Sequence, residues 1–280
     1  MKLSIIIVNY NVTDLLRNCL ASVIRYTPEV TYEIIVIDNN SPDTSWRNLQ
    51  AQFPTVHFIA SPQNNGFAIA NNTAAKGASG EYILLLNPDT LFTKDILKEI
   101  IDFADLHSDL GCLGVRMVDA QGRFLPESKR AVPDVINSFE KLFINFKKNT
   151  AKSYYRKDIS EFDVARVEVI TGAFLLMKRK LFLEEGGLDE KYFMYGEDID
   201  LCYTLLRRNC VNWYYGSASI VHYKGESTVK DAQYIDRFYG AMKIFVDKYY
   251  RSQKPLQYLI LNFGLQIKRA LEMRKLKKGT

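Results

Sequence analysis

The run YILLLNPDT, residues 82–90, delivers five apolar or aromatic residues abruptly onto Asn87, Pro88 and Asp89. A turn would account for the triplet, since Asn and Pro set the backbone and a carboxylate accepts from nearby N–H groups. The sharper chemistry is metal binding, because a carboxylate oxygen is a hard ligand for a divalent cation. A second cluster, Glu197, Asp198 and Asp200 in YGEDIDL, crowds the start of a helical pattern. Acids favour helix N-termini through the dipole. Close carboxylates also tune one another's pKa, and one of them can serve as a general base. His222 is one of three histidines and precedes the polar turn YKGES. It reads as a structural imidazole, or as one that ligates a metal or touches phosphate.

These groups need elements to hold them. Leu3–Val8 is a near-continuous apolar run, as in a strand buried on both faces. Val12, Leu15, Leu16, Cys19, Leu20, Val23 and Ile24 then repeat at helical spacing, with Asn11 as the expected cap. A strand over Ile34–Ile37 completes a strand–helix–strand unit, which predicts parallel pairing. The theme continues with a strand at 56–61, an Ala-rich helix at 67–78, a strand at 82–86, a helix near 93–107 and a strand at 111–119. Residues 1–120 therefore form an open α/β sheet flanked by helices. Residues 122–157 read as an insert or lid. Strand and helix return in VEVITGAFLLMKRKLFLEEGG, a helix follows over EDIDLCYTLLRRN, and VNWYYGSASIVHYKG reads as strand.

Ligands of an open parallel sheet bind beyond the carboxyl ends of its strands. Three such ends are polar here: Asn9, Tyr10 and Asn11; Asp38, Asn39 and Asn40; and Asn87-Pro88-Asp89. No Gly-x-Gly-x-x-Gly follows the first strand and no Walker loop occurs. A phosphorylated ligand would then need positive charge from elsewhere, and a divalent cation on Asp89 would supply it.

The totals restrict the function classes. The chain has 280 residues, 47% hydrophobic and 25% charged, an ordinary globular composition. The net charge of +5 resides in the tail: residues 251–280 carry +7 and the remainder −2. That argues against a nucleic-acid face on the body. Cys19, Cys112, Cys202 and Cys210 show no Cys-x-x-Cys spacing, so zinc is not expected and buried thiols of a reducing compartment are. The apolar start is too short for a signal peptide and no stretch is long enough to span a bilayer. The expectation is an intracellular protein, cytoplasmic or peripheral on the inner face of the plasma membrane. In the tail, Leu256, Leu259, Ile260, Phe263, Ile267 and Leu271 recur at helical spacing ahead of a basic end. That pattern fits a helix packed on the domain, or an amphipathic helix on an anionic membrane surface. Tyr192, Phe193 and Tyr195 read as core, with a sugar-stacking wall as the alternative.

The ordered set SIIIVNYN, IIVIDNNSPD, NNGFAIANN, LLLNPDT, ITGAFLLMKR, GGLDEKYFMYGEDIDL and IVHYKGES resembles family 2 glycosyltransferases over about residues 1–225. The likeness is to the bacterial rhamnosyltransferases and galactofuranosyltransferases. It implies the GT-A fold, a divalent metal (Mg²⁺ or Mn²⁺), a nucleotide-sugar donor, a glycan or polyprenyl-linked acceptor and inversion at the anomeric carbon. Residues 1–250 would be the transferase domain, 1–120 its donor half and 121–250 its acceptor and catalytic half, with 251–280 a basic helix. By the resemblance Asn9, Asn11, Asp38, Asn64, Gly66 and Asn87 line the donor site. Asp89 and His222 would be metal ligands, Asp198 the base and Glu197 its acidic partner. The first acid of the family's Asp-x-Asp motif is Asn87 here, which adds no charge. Rival readings are a sugar-nucleotide pyrophosphorylase, which lacks its Gly-rich loop here, and a non-catalytic nucleotide- or carbohydrate-binding homologue.

Overall fold

The computed structural model describes residues 1–133, 154–223, 225 and 231–279. Much of the predicted insert, residues 134–153, lies outside them. The first strand–helix–strand unit is β1 (Leu3–Asn9), α1 (Thr13–Arg25) and β2 (Tyr32–Asp38), with β1 and β2 parallel from Leu3 opposite Tyr32 to Asn9 opposite Asp38. A short helix, α2 (Leu49–Gln52), leads to β3 (Val56–Ala60); α3 (Gly66–Gly77) leads to β4 (Tyr82–Leu86). The two-residue β5 (Thr90–Leu91) precedes α4 (Leu97–Leu106) and β6 (Leu110–Val118). Then come β7 (Val164–Arg166), β8 (Phe174–Lys178), α5 (Arg179–Glu184), α6 (Glu197–Arg207) and β9 (Val211–His222). Two long helices, α7 (Ala232–Tyr249) and α8 (Pro255–Gly279), end the chain.

All nine strands join one sheet in the order β3-β2-β1-β4-β8-β6-β9-β5, with β7 on β9. The expected parallel pairs β1–β2, β1–β4 and β2–β3 are present. β8 runs antiparallel to both β4 and β6, while β6 and β9 are parallel. This arrangement has a consequence for function. The carboxyl ends of β1, β2, β4 and β9 lie on one edge, and the reversed β8 brings its amino end, with Thr171, Gly172 and Ala173 before it, to that same edge.

The inner strands β1, β4 and β8 are buried on both faces, which is why they read as nearly unbroken apolar runs, whereas β9 alternates between buried and more open positions. Leu3, Ile5 and Ile7 pack with Leu16, Cys19, Leu20 and Val23 of α1 and with Ile100 and Ala104 of α4. Ile6 and Val8 pack with Ala68, Ala74 and Ala75 of α3, Ile199 and Cys202 of α6, and Phe245 of α7. The small alanines let α3 lie close on the sheet.

Several local expectations are corrected. Asn11 does not cap α1: it is left-handed, with φ 60°, and its side chain accepts from Asp43 N–H at 3.3 Å. α4 begins at Leu97, four residues after the predicted start, because Ile96 at its N-cap is still non-helical. Leu206 and Leu15 are only half-buried and Ile24 is exposed, so each helix buries a narrower face than its periodicity offers. Cys210 is half-buried where the other three thiols are buried. The tail is helical, but its buried hydrophobic side chains among the described residues are Leu261 and Leu265, whereas Leu256, Leu259, Ile260, Phe263 and Leu271 are exposed. At 100° per residue the two sets lie on nearly opposite sides. α8 packs along α7 by the face that the periodicity did not select, helped by an Arg269–Asp236 ion pair at 2.7 Å.

Candidate active site

A cavity of about 1050 Å³ opens at the polar sheet edge. Asn87, Pro88 and Asp89 enter it from the end of β4, Glu197 and Asp198 from α6, His222 from β9, and Asn64 and Gly66 from the loop before α3. Residues more than 130 positions apart in sequence thus meet on one surface. β5 explains part of this: Thr90 pairs with His222 in the antiparallel β5–β9 ladder. Asp89 is therefore set beside the imidazole, with Oδ1 3.2 Å from His222 Nε2, and its backbone carbonyl accepts from Tyr223 N–H at 2.8 Å. Asp89 is 4% exposed and His222 8%. The turn reading also has its share of truth, since the Asn87 carbonyl accepts from Thr90 Oγ1 at 2.8 Å.

Asp89 and His222 are suitable metal donors, a hard oxygen and an imidazole nitrogen, and His222 Nδ1 has no hydrogen-bond partner among the described residues. No set of three His, Cys, Asp or Glu ligands occurs among the described residues. Two protein ligands suit Mg²⁺ or Mn²⁺ whose shell is completed by substrate phosphate and water. They do not suit a cation held by protein alone. The Asn87 side chain lines the cavity without a hydrogen bond among the described residues, so its amide oxygen is available to a ligand.

The three acids at the start of α6 separate into two kinds. The helix enters through Tyr195 and Gly196, both left-handed at φ 70° and 92°, and no side chain caps it. A non-Gly residue in that region costs energy and is held by its surroundings. Asp200 turns away from the cavity: it accepts from Tyr192 Oη at 3.3 Å and from Lys248 Nζ at 2.7 Å. Asp198 faces the cavity and is bound at Oδ2 by Arg130 Nη2 at 2.6 Å and by Gly172 N–H at 3.1 Å. Glu197 is 6% exposed, and burial, followed by the charge of Asp198, pushes its carboxyl up to about 8. Dipole stabilisation at a helix end does not require burial of this degree.

The donor-side expectations divide as well. Asn64 and Gly66 line the cavity, but Asn9, Asn11 and Asp38 do not. Asn9 Nδ2 donates to Asp38 Oδ1 at 2.7 Å, and Ser41 donates to both carboxylate oxygens of Asp38. These residues brace the ends of β1 and β2. The next residue, Asn39, reaches the wall. It donates to Asn64 Oδ1 at 2.9 Å and to the Gly66 carbonyl at 3.1 Å, and accepts from Asn65 N–H at 3.2 Å. The aromatic expectation is half right. Tyr192 is fully buried, whereas Phe193 and Tyr195 line the cavity. Tyr195 meets Tyr234 and Phe238 edge-on at 5.4 and 6.2 Å, and Arg237 stacks on Phe193 at 4.1 Å. Arg237 has no ion pair among the described residues. Leu261, Leu265, Lys268 and Glu272 of α8 close the outer wall.

Arg130, Asn39, Arg237 and the aromatic pair on α7 were missed in the sequence. Arg130 lies in the basic segment read as an insert, and α7 carries no motif. Asn39 was visible only as one polar residue among three at a strand end.

The family model for "Glycosyl transferase family 2" matches residues 4–184. The chain belongs to this family. Among its relatives is the Mycobacterium tuberculosis N-acetylglucosaminyl-diphospho-decaprenol L-rhamnosyltransferase, 29% identical over 242 residues, spanning 82% of this chain and 78% of the relative. Another is rhamnosyltransferase WbbL of Escherichia coli K12, 28% identical over 228 residues, spanning 78% and 82%. The structure of Staphylococcus aureus TarS residues 1–349 is similar with a TM-score of 0.59 at 17% identity, covering 96% of this chain and 71% of that one. GalNAc-T7 with UDP, GalNAc and Mn²⁺ gives a TM-score of 0.64 at 15% identity, covering 89% and 50%. The architecture of this family 2 glycosyltransferase is accordingly GT-A, a mostly parallel sheet flanked by helices with a C-terminal helix. The family match runs from β1 to the end of α5. The acids of α6 and His222 fall beyond it.

Proposed function

We propose that this glycosyltransferase inverts the anomeric carbon as it moves a sugar from a nucleotide diphosphate, dTDP-rhamnose or a UDP-sugar, to a glycan or polyprenyl-linked acceptor of bacterial surface polysaccharide. The observation that carries the reading is the meeting of Asp89 and His222 with Glu197 and Asp198 on one cavity. The rim formed by Asn39, Asn64 and Gly66 would hold the nucleoside, with Asn9, Asn11 and Asp38 supporting it from behind. Arg237, stacked on Phe193 and without an ion pair among the described residues, offers charge to a phosphate. Asp198 accepts the proton of the acceptor hydroxyl as that oxygen bonds to the anomeric carbon and the bond to the diphosphate breaks. Attack opposite the leaving group inverts the centre. A divalent ion on Asp89 and His222 would offset charge on the leaving diphosphate, help that counts because it is greatest in the transition state. Tyr195, Tyr234 and Phe238 form the face on which an acceptor sugar would stack.

Melting temperature measured with dTDP-, UDP- and GDP-sugars, with and without Mn²⁺ or Mg²⁺, tests this. A ligand at 100 times its Kd stabilises by about 2.7 kcal/mol, a shift of several degrees for a domain of this size. One nucleotide should shift the midpoint, and more so with metal. No shift with any of them would favour the second reading, a non-catalytic nucleotide- or carbohydrate-binding homologue, for which Asn87 in place of an acid is the supporting feature.

The tail bears on where the reaction happens. No described helix is long and apolar enough to cross a membrane. The exposed Leu256, Leu259, Ile260, Phe263 and Leu271, flanked by Arg251, Lys254, Arg274 and Lys275, form a surface suited to the headgroup region of an anionic membrane. Peripheral attachment to the cytoplasmic face of the plasma membrane follows as part of the proposal. Replacing Leu259 and Phe263 with Ser should abolish sedimentation with anionic vesicles while the midpoint of melting stays put. Sedimentation undiminished by the change would remove α8 from the membrane.

A further inference from the structure

We propose that Arg130 is a positioning residue that decides which of the paired carboxyls stays ionised, keeping Asp198 as the carboxylate and leaving the proton to Glu197. The inference rests on the reading of Asp198 as the base. Arg130 is fixed from both ends. Its backbone exchanges two hydrogen bonds with Val169, at 3.1 and 2.9 Å. Its guanidinium reaches Asp198 Oδ2 at 2.6 Å, the Ile170 carbonyl at 3.2 Å and Tyr154 Oη at 3.4 Å. The Arg130 and Asp198 side chains are 11% and 12% exposed, so solvent screens the pair little.

Two buried carboxyls on consecutive residues cannot both ionise cheaply, and the first proton belongs to the pair until something breaks the tie. Among the described residues, Asp198 meets Arg130 and the Gly172 and Ile199 N–H groups directly, with Glu197 beside it on its own helix and the buried Cys112 thiol near enough to feel its charge. Arg130 is the one among these that carries a permanent positive charge. It hydrogen-bonds Asp198 and not Glu197, on which its charge is the least of the influences that set the carboxyl. Gly172 N–H donates to the same Asp198 oxygen, which favours the anion further. Glu197 Oε2 is buried without a hydrogen-bond partner among the described residues, and the raised Glu197 carboxyl agrees with a group that holds its proton near neutrality. Asp198 is then ready to accept a proton when the acceptor arrives.

Carboxyl ¹³C NMR titration of the full chain between pH 4 and 10 tests the assignment without substrate. In the wild type, Glu197 should take up its proton first as pH falls, and Asp198 last. In Arg130→Gln the order should collapse, with the Asp198 midpoint rising by one unit or more; Arg130→Lys should restore most of the separation. Asp198 protonating before or together with Glu197 in the wild type overturns the proposal, and that reading needs no variant to fold. An unmoved Asp198 midpoint in Arg130→Gln overturns it too. Where transfer is measurable, the acid limb of kcat/KM should rise by the same amount in Arg130→Gln, and guanidinium ion should recover Arg130→Ala. A wild type that titrates as expected yet transfers no sugar would sink the transferase reading and leave this assignment standing.

Discussion

Asp198→Asn should lower kcat for sugar transfer by roughly 10² to 10⁴, the usual contribution of a positioned general base. Nucleotide-sugar binding should be nearly unchanged, because the carboxamide keeps the shape of the side chain and the donor rim of Asn39, Asn64 and Gly66 belongs to other elements. The companion variant is Asp200→Asn. Asp200 is the more buried acid, at 2% exposed, yet its oxygens are taken by Tyr192 and Lys248 on the side away from the cavity. Breaking a buried pair by removing one charge is destabilising. Asp200→Asn should therefore lower the melting temperature and leave kcat of the folded enzyme within a few-fold of wild type. Single-turnover transfer and donor titration on both variants read the contrast. If Asp198→Asn transfers within tenfold of wild type, another group takes the proton. Glu197 would be the next to examine, since it shares the cavity and has no ion pair among the described residues.

Much of this arrangement can be read in the chain, for a physical reason. A sheet buried on both faces writes itself as apolar runs, and the polar residues that end those runs mark its functional edge. So Asp89 and the Glu197-Asp198 pair could be nominated from local pattern alone. What pattern does not carry is direction. Asp38 and Asn39 are adjacent, yet Asn39 reaches the cavity while Asp38 is tied to Asn9 and Ser41, because successive side chains at a strand end point to opposite sides. The three acids of YGEDIDL look alike in sequence, but an α-helix turns 100° per residue, so Asp198 and Asp200 face different partners. Arg130 is a basic residue in a basic segment until the Val169 pairing brings it to Asp198. The tail shows the same limit. Its strongest apolar stripe is the one left facing outward, because a second pair of apolar residues, Leu261 and Leu265, meets α7.

Gly66→Ala should destabilise the fold and weaken donor binding together, because the position joins the two halves of the site. Gly66 has φ +82°, where an L side chain is strained, and an added Cβ would stand 2.2 Å from the Phe193 carbonyl oxygen. That oxygen is already committed, accepting from Phe67 N–H at 2.7 Å. An alanine must therefore push the 64–67 loop away from the segment carrying Phe193, Tyr195 and the α6 acids. The backbone conformation alone costs about 1–3 kcal/mol, and the close contact adds to it. At about 2–4 °C per kcal/mol for a chain approaching this size, the midpoint should fall by roughly 5 °C or more. Donor affinity should fall with it, since Asn64 Oδ1 accepts from Gly66 N–H at 3.0 Å and moves when that residue moves. Gly77→Ala provides the comparison. Gly77 closes the same helix, and a Cβ there meets nothing within 4 Å. Helix propensity favours alanine, so Gly77→Ala should melt at or above the wild-type temperature. If the two variants melted alike, the close approach of Gly66 to Phe193 would not be holding the donor loop against the catalytic segment. The coupling drawn between the nucleotide rim and the Asp198 side of the cavity would then be lost.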